Sequence, residues 1–218
     1  DGASFPAIEQ YRDQVQGFTS NPSLMKSSGV DDYEKFAKLF LSAAQGKPVS
    51  FEVLADDDKS IYEQAHKIAK WGENIYVKVP ITLTNGNPNY GVIHVLADDG
   101  IKLNITAVLT LWQIRSVSRI LSPTTPAIIS IFAGRIADTG RDPIPFFTEA
   151  ARVKHDKTKI LWASPREVYN YYQAQQVADI ITMPPDLIKK LSLKDKDLTQ
   201  YSRETVEQFY NDGKGLSL

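Results

Sequence analysis

"NIYVKVPIT" (residues 74–82) decides how the rest of the chain is read. Ile75, Tyr76, Val77 and Val79 are β-branched or aromatic, which marks a strand. The run is apolar on both of its faces, the pattern of a strand covered on both sides in a parallel sheet. Lys78 interrupts it. An ammonium group in such a place is costly unless it is paired or gives up its proton. The stretch therefore predicts a fold and poses a chemical question together.

Similar apolar runs recur along the chain at 15–20, 48–55, 102–109, 127–134, 159–164 and 179–184. Helix-like segments separate them at 31–45, 57–71, 111–121, 145–154 and 166–177. In 31–45, Tyr33, Phe36, Leu39, Phe40 and Ala43 recur at helical spacing and predict one apolar face. Asp31 and Asp57 are expected N-caps. Strands alternating with helices imply an α/β protein with a parallel sheet of right-handed βαβ units. A (β/α)8 TIM barrel needs an eighth strand. Residues 1–12 already read as helix, so strand 1 has to precede Asp1 and is largely missing from the chain. Either a longer polypeptide carries those residues, or the sheet is open. With no linker or charge block, residues 1–218 read as one domain, ending in an amphipathic helix at about 202–213. Val206, Phe209 and Tyr210 share one side of that helix, which packs on its own barrel or on a neighbour's.

Composition excludes several classes of function. The 25 basic and 26 acidic side chains leave a formal net charge of −1, which gives no field for nucleic acid or an anionic membrane. The absence of cysteine removes disulfides, thiol nucleophiles and thiolate metal sites, and suits the cytoplasm. No apolar run approaches the roughly 20 residues of a membrane span. The first ten residues lack the basic and apolar regions of a signal peptide.

Polar residues recur where the strands end: Thr19 and Asn21, Glu52, Lys78, Asn104 and Thr106, Ser130 and Arg135, Ser164 and Arg166. In a barrel those ends form the functional face. A lysine desolvated there becomes a neutral amine that attacks carbonyls and forms a Schiff base. The plainer alternative is that Lys78 snorkels, or pairs with Glu52. Glu52 reads equally as a proton carrier or as a structural ion-pair partner. Arg135 and Arg166 follow adjacent strands and can grip one anion together, or each can pair on the surface with Asp138 or Glu167. The other site types are weak. His66, His94 and His155 are scattered without metal-ligand spacing. Phosphate-loop and dinucleotide glycine motifs are missing. "DDG" (98–100) reads as a helix C-terminus and "DTGRD" (138–142) as a loop.

"TSNPSL" (19–24), "VKVP" (77–80), "LNITAV" (103–108), "FAGRIADTG" (132–140) and "ILWASPREV" (160–168) closely resemble the transaldolases, in that family's order and over most of the chain. The resemblance implies a (β/α)8 barrel and transfer of a dihydroxyacetone unit between sugar phosphates, without metal or organic cofactor. It implies that Lys78 is the Schiff-base lysine, and that Glu52 and Thr106 hold the catalytic water. Asp1 then handles the proton of the C4 hydroxyl. Asn21 and Asn104 contact the dihydroxyacetone unit, with Thr19 beside them. Ser130 is a further substrate contact, and Arg135, Ser164 and Arg166 bind phosphate. The related fructose-6-phosphate aldolases carry glutamine where Glu52 stands and tyrosine where Phe132 stands. Phenylalanine cannot donate a proton, so the pair Glu52 and Phe132 favours transfer over release of free dihydroxyacetone. A non-catalytic sugar-phosphate binder is a third reading. Short members of the family often form homo-oligomers through a C-terminal helix.

Overall fold

The computed structural model describes residues 1–216. Seven strands pair in parallel and in sequence order. They are β1 (Phe18–Thr19), β2 (Val49–Glu52), β3 (Ile75–Pro80), β4 (Leu103–Val108), β5 (Ala127–Ile131), β6 (Thr158–Trp162) and β7 (Ile180–Ile181). Around them lie α1 (Phe5–Tyr11), α2 (Pro22–Ser27), α3 (Tyr33–Ala44), α4 (Asp58–Ala69), α5 (Tyr90–Asp98) and α6 (Leu111–Ile120). The outer layer continues with α7 (Ala133–Asp138), α8 (Ile144–Val153), α9 (Tyr169–Val177), α10 (Pro185–Lys190) and α11 (Leu198–Asp212). Every run read as a strand in the sequence carries one, although β1 and β7 are only two residues long. No described helix is long and apolar enough to cross a membrane.

The edges of the curled sheet meet at the N-terminus. The Asp1 nitrogen donates to the Met183 carbonyl just beyond β7, at 2.9 Å. The Gly2 nitrogen donates to the Thr19 carbonyl of β1, also at 2.9 Å. Asp1 and Gly2 therefore occupy the seam where an eighth strand would end, and bridge both sheet edges through backbone hydrogen bonds. The sheet therefore curls into a barrel-like ring, the (β/α)8 reading rather than the open-sheet alternative, tied at this end by two residues.

Strand alternation divides the apolar residues into two layers. Val49, Phe51, Val77, Val79, Leu103, Ile105, Ile129, Ile131, Ile160 and Trp162 point outward and join the helices in one buried core. Ile128, Leu161 and Ala163 point inward and form a small separate cluster with Tyr76, Phe132 and Ile180. The inside of the ring is thus only partly apolar, which leaves space for polar side chains.

The expectations for two helices need correction. Leu39 is exposed, and the buried face of α3 is Phe36, Ala37, Phe40 and Ala44. Asp32, not Asp31, caps α3 by accepting from the Lys35 nitrogen at 3.0 Å. Asp32 directly precedes the first helical residue in an extended conformation, so its carboxylate, not that of Asp31, reaches the amide of the third helical residue. Asp57 caps α4 as expected. The last helix begins at Leu198 rather than near 202, because Asp197 accepts from the Gln200 nitrogen and opens it earlier. None of its residues is buried, and Val206, Phe209 and Tyr210 are exposed rather than packed on their own barrel.

Candidate active site

The register of the parallel strands assembles the site. Glu52 on β2 pairs in register with Lys78 on β3, and Lys78 pairs with Asn104 on β4. All three lie on the inward face because residues in register across a parallel sheet point the same way. Lys78 is 6% exposed. Its Nζ lies 2.9 Å from Glu52 Oε2 and donates to the Ser20 carbonyl, also at 2.9 Å. Both partners are fixed: Ser20 follows β1, and the Glu52 carbonyl accepts from the Tyr33 hydroxyl at 2.8 Å. Burial raises the pKa of that phenol well above its ordinary value, so Tyr33 stays a donor. A lysine ammonium has three N–H groups. Two are engaged here. Loss of the third proton leaves a lone pair without breaking either contact. The plainer sequence alternative, pairing of Lys78 with Glu52, is therefore present, and it is compatible with the chemical one.

Lys78 forms part of the floor of a cavity of about 240 Å³. Its walls include Asp1, Thr19, Asn21, Asn104, Thr106, Ser130, Phe132, Arg135, Ser164 and Arg166. Eleven of the twelve residues picked out in the sequence thus share one enclosure. Glu52 is the exception. It stands behind Lys78 and meets the site through the Lys78 amine. Glu52 and Thr106 sit on the two strands that flank β3.

Beneath the lysine, a polar chain crosses the ring. The Ser130 hydroxyl donates to Asn104 Oδ1 at 2.6 Å, and Asn104 Nδ2 donates to Ser50 Oγ at 3.0 Å. This chain orients the Asn104 carboxamide and leaves one Nδ2 hydrogen uncommitted by it. Beyond Thr106, Ala107 takes a φ of 60° and the β4–β5 register shifts, a bulge of the kind that re-aims side chains at a barrel rim. Asn21 has a second job: its Oδ1 caps α2 by accepting from the Leu24 nitrogen at 3.0 Å.

At the seam, Thr19 Oγ1 donates to Asp1 Oδ1 at 2.8 Å and lies 2.6 Å from Thr182 Oγ1. Because the one Thr19 hydroxyl hydrogen goes to Asp1, Thr182 donates to Thr19. In a chain that begins at Asp1, burial and then the Lys78 charge hold the α-amino group down at about 5.

The opposite wall is cationic. Arg135 stands on α7 after β5, its guanidinium carbon 4.9 Å from the centre of the Phe132 ring. Arg166 follows β6, and its guanidinium is paired with Asp138, the surface alternative raised by the sequence. Both arginines still line the cavity. Gly134 makes this wall possible. A Cβ there would lie 1.6 Å from the Ser164 carbonyl oxygen, so only glycine lets α7 and the Ser164 loop touch. Ser164 itself adopts φ 61°, a left-handed conformation that a non-glycine residue holds only when its surroundings enforce it.

Ser50, Thr182 and Tyr33 were not singled out in the sequence. Ser50 precedes Glu52 by two positions, so strand alternation already put it on the same face. Thr182 closes a strand, as the other site residues do. Tyr33 sits among the apolar positions of α3, where nothing in the pattern marks its hydroxyl. Among the described residues, no group of three His, Cys, Asp or Glu side chains has the arrangement of a metal site.

A sequence model described as Transaldolase/Fructose-6-phosphate aldolase matches residues 1–217. The chain belongs to this family. It is similar to a probable transaldolase of a Ruegeria species, 33% identical over 210 residues that cover 92% of each chain. A probable transaldolase of Methanococcus maripaludis is 32% identical over 181 residues, covering 81% of this chain and 80% of that one. Among solved structures, the fold is similar to a putative dihydrodipicolinate synthase family protein from Coccidioides immitis. That likeness has a TM-score of 0.56 at 13% identity and covers 94% of this chain and 68% of that one. At such identity it concerns the fold alone, and it agrees with a (β/α)8-like architecture.

Proposed function

We propose that the chain is a transaldolase of the pentose phosphate pathway. It moves a dihydroxyacetone unit from fructose 6-phosphate or sedoheptulose 7-phosphate to an aldose phosphate, through a Schiff base on Lys78. One observation carries this reading: a buried amine with two fixed partners faces a cavity whose far wall holds two arginines.

The neutral Lys78 amine attacks the C2 carbonyl of the ketose and forms a carbinolamine. Glu52, through a water held near Thr106, delivers the proton with which the C2 hydroxyl departs as water. The product is an iminium, which serves as the electron sink, so the step needs no metal. Asp1 takes the proton of the C4 hydroxyl and the C3–C4 bond breaks. Its electron pair flows into the iminium, giving an enamine, and the aldose phosphate leaves. The enamine carbon then attacks the aldehyde of a second aldose phosphate, Asp1 returns the proton to the new hydroxyl, and water hydrolyses the iminium.

The hydrogen-bonded Asn104 carboxamide supports this reading as the group that orients the three-carbon unit. Arg135, Ser164 and Arg166 support it as the phosphate end. Phe132 bears on the choice between transfer and hydrolysis. Its ring has no proton to give, and it lies under Arg135, which argues against release of free dihydroxyacetone. Borohydride added with fructose 6-phosphate is expected to reduce the iminium to a stable adduct on the peptide that carries Lys78. An adduct on another residue, or active protein with none, overturns the mechanism. Free dihydroxyacetone formed as fast as transfer to erythrose 4-phosphate would make the protein an aldolase.

A further inference from the structure

Arg166 is held at both its ends. Its backbone nitrogen and that of Glu167 donate to Asn170 Oδ1, at 2.7 and 3.2 Å. Its guanidinium meets Asp138 side-on: Nε donates to Oδ1 at 3.2 Å and Nη2 donates to Oδ2. A guanidinium has five N–H groups. The side-on contact uses one from Nε and one from Nη2. It leaves free the Nη1–Nη2 edge, the fork that fits a phosphate or carboxylate with two parallel hydrogen bonds.

Placement separates the two roles. Arg166 lines the cavity beside Arg135 and Ser164, whereas Asp138 is not part of the lining. The carboxylate therefore stands behind the arginine. Asp138 and Arg135 also share α7. That short helix supplies one arginine to the cavity and grips the other. The Gly134 contact docks it onto the Ser164 loop, with Arg166 Cγ only 3.2 Å from where a Gly134 Cβ would stand. Both members of the ion pair are about half exposed, at 50% and 51%. An exposed pair contributes little to stability. Its effect lies instead in fixing the plane of a long, rotamer-rich side chain at the rim of the cavity.

We propose that Asp138 is a positioning residue for phosphate selectivity. It holds Arg166 side-on so that the free edge of the guanidinium meets the terminal phosphate of the sugar. The substrate in this statement rests on the transaldolase reading; the anion geometry does not. The proposal has a distinctive sign. If Asp138 acted only through its charge, removing it would make the wall more positive and tighten anion binding. If it acts by orientation, removing it weakens binding despite the gain in positive charge.

The test compares the parent chain with Asp138→Ala and Asp138→Asn. Binding of inorganic phosphate is measured by calorimetry, and KM and kcat for fructose 6-phosphate and for unphosphorylated fructose are measured in parallel. For Asp138→Ala we expect phosphate Kd and fructose 6-phosphate KM to rise about tenfold, with kcat within about twofold and the fructose kinetics unchanged. Asp138→Asn keeps a planar acceptor and is expected to fall between parent and alanine variant. Melting temperatures within a few degrees of the parent would separate this from loss of fold, with the asparagine variant deciding if alanine unfolds. Unchanged or tighter phosphate binding in folded variants, or equal losses with fructose, overturns the proposal. Absence of phosphate binding in the parent overturns it as well. A parent chain that binds phosphate but transfers nothing would overturn the functional reading and leave the Asp138 result to stand on the calorimetry.

Discussion

The two walls of the cavity solve different problems by different means. On the β1–β4 side, Lys78 is buried and held by a carboxylate and a backbone carbonyl, with Asn104 and Ser50 hydrogen-bonded to each other beside it. On the β5–β6 side, the charged groups sit at the rim, half in solvent, and are aimed by a glycine contact and one surface carboxylate. The buried amine is sheltered from water and held in one place by its two partners. Capture of a dianion needs charges that remain accessible and long enough to close on it. On the transaldolase reading, the comparison teaches that burial goes with the reacting end of this cavity and exposure with the recognising end.

The most damaging change to the buried wall is Lys78→Ala. Turnover is expected to fall on the order of 10⁴-fold or more, because no other lysine is among the residues that line the cavity. Phosphate should still bind, since the far wall is untouched. A coupled assay with fructose 6-phosphate and erythrose 4-phosphate checks the first point and calorimetry the second. Residual turnover near the parent level would remove the distinction between the walls.

Salt separates the two walls more gently. Screening acts strongly on exposed charges and weakly on buried pairs, with a Debye length of about 8 Å at physiological ionic strength. Raising sodium chloride from about 0.05 to 0.5 M is expected to increase KM for the sugar phosphate several-fold and to leave kcat within about twofold. A fall in kcat with constant KM would mean that the buried wall is the salt-sensitive one.

The smallest effect lies outside the cavity, where Glu149 of α8 accepts from both Arg115 of α6 and Arg152. Hydrogen bonds from Arg152 and then Arg115 hold its pKa down at about 2, against an ordinary 4.5. A depressed carboxylate stabilises the fold above its ordinary pKa and loses that contribution as pH falls through the folded value. Glu149→Gln should therefore lower the melting temperature slightly at pH 7, and the difference from the parent should shrink between about pH 4.5 and 2. A difference that persists at pH 2 would assign the effect to packing rather than charge.

Much of this was legible in the sequence because barrels repeat one rule. Apolar runs separated by amphipathic segments gave every strand, and the polar residue at the end of each run pointed to the cavity. What escaped notice depended on neighbours that only folding brings together. Thr182 reaches Thr19 across the seam between the first and last strands, 163 residues apart in sequence. The end of helix α5 was legible in "DDG", but its start was not, because Val92, Ile93, Leu96 and Ala97, all buried, make a nearly continuous apolar stretch without a clear period. Helix α7 has six residues and no side-chain cap, too short for a pattern. The choice between Asp31 and Asp32 as a cap turned on a one-residue frame that two adjacent aspartates cannot reveal. The positive φ of Ala107 left no mark in the sequence, because alanine is not a residue selected for that conformation.

The contact between Gly134 and the Ser164 carbonyl makes two distant segments inherit together. Swapping 133–138 with a relative's helix while keeping 163–166, or the reverse, asks two surfaces that meet without a side chain between them to fit by chance. Recombination between relatives should therefore succeed when the crossover points keep both segments from one parent. Libraries aimed at the cavity can vary Phe132 and the two arginines, but position 134 offers a single choice of residue.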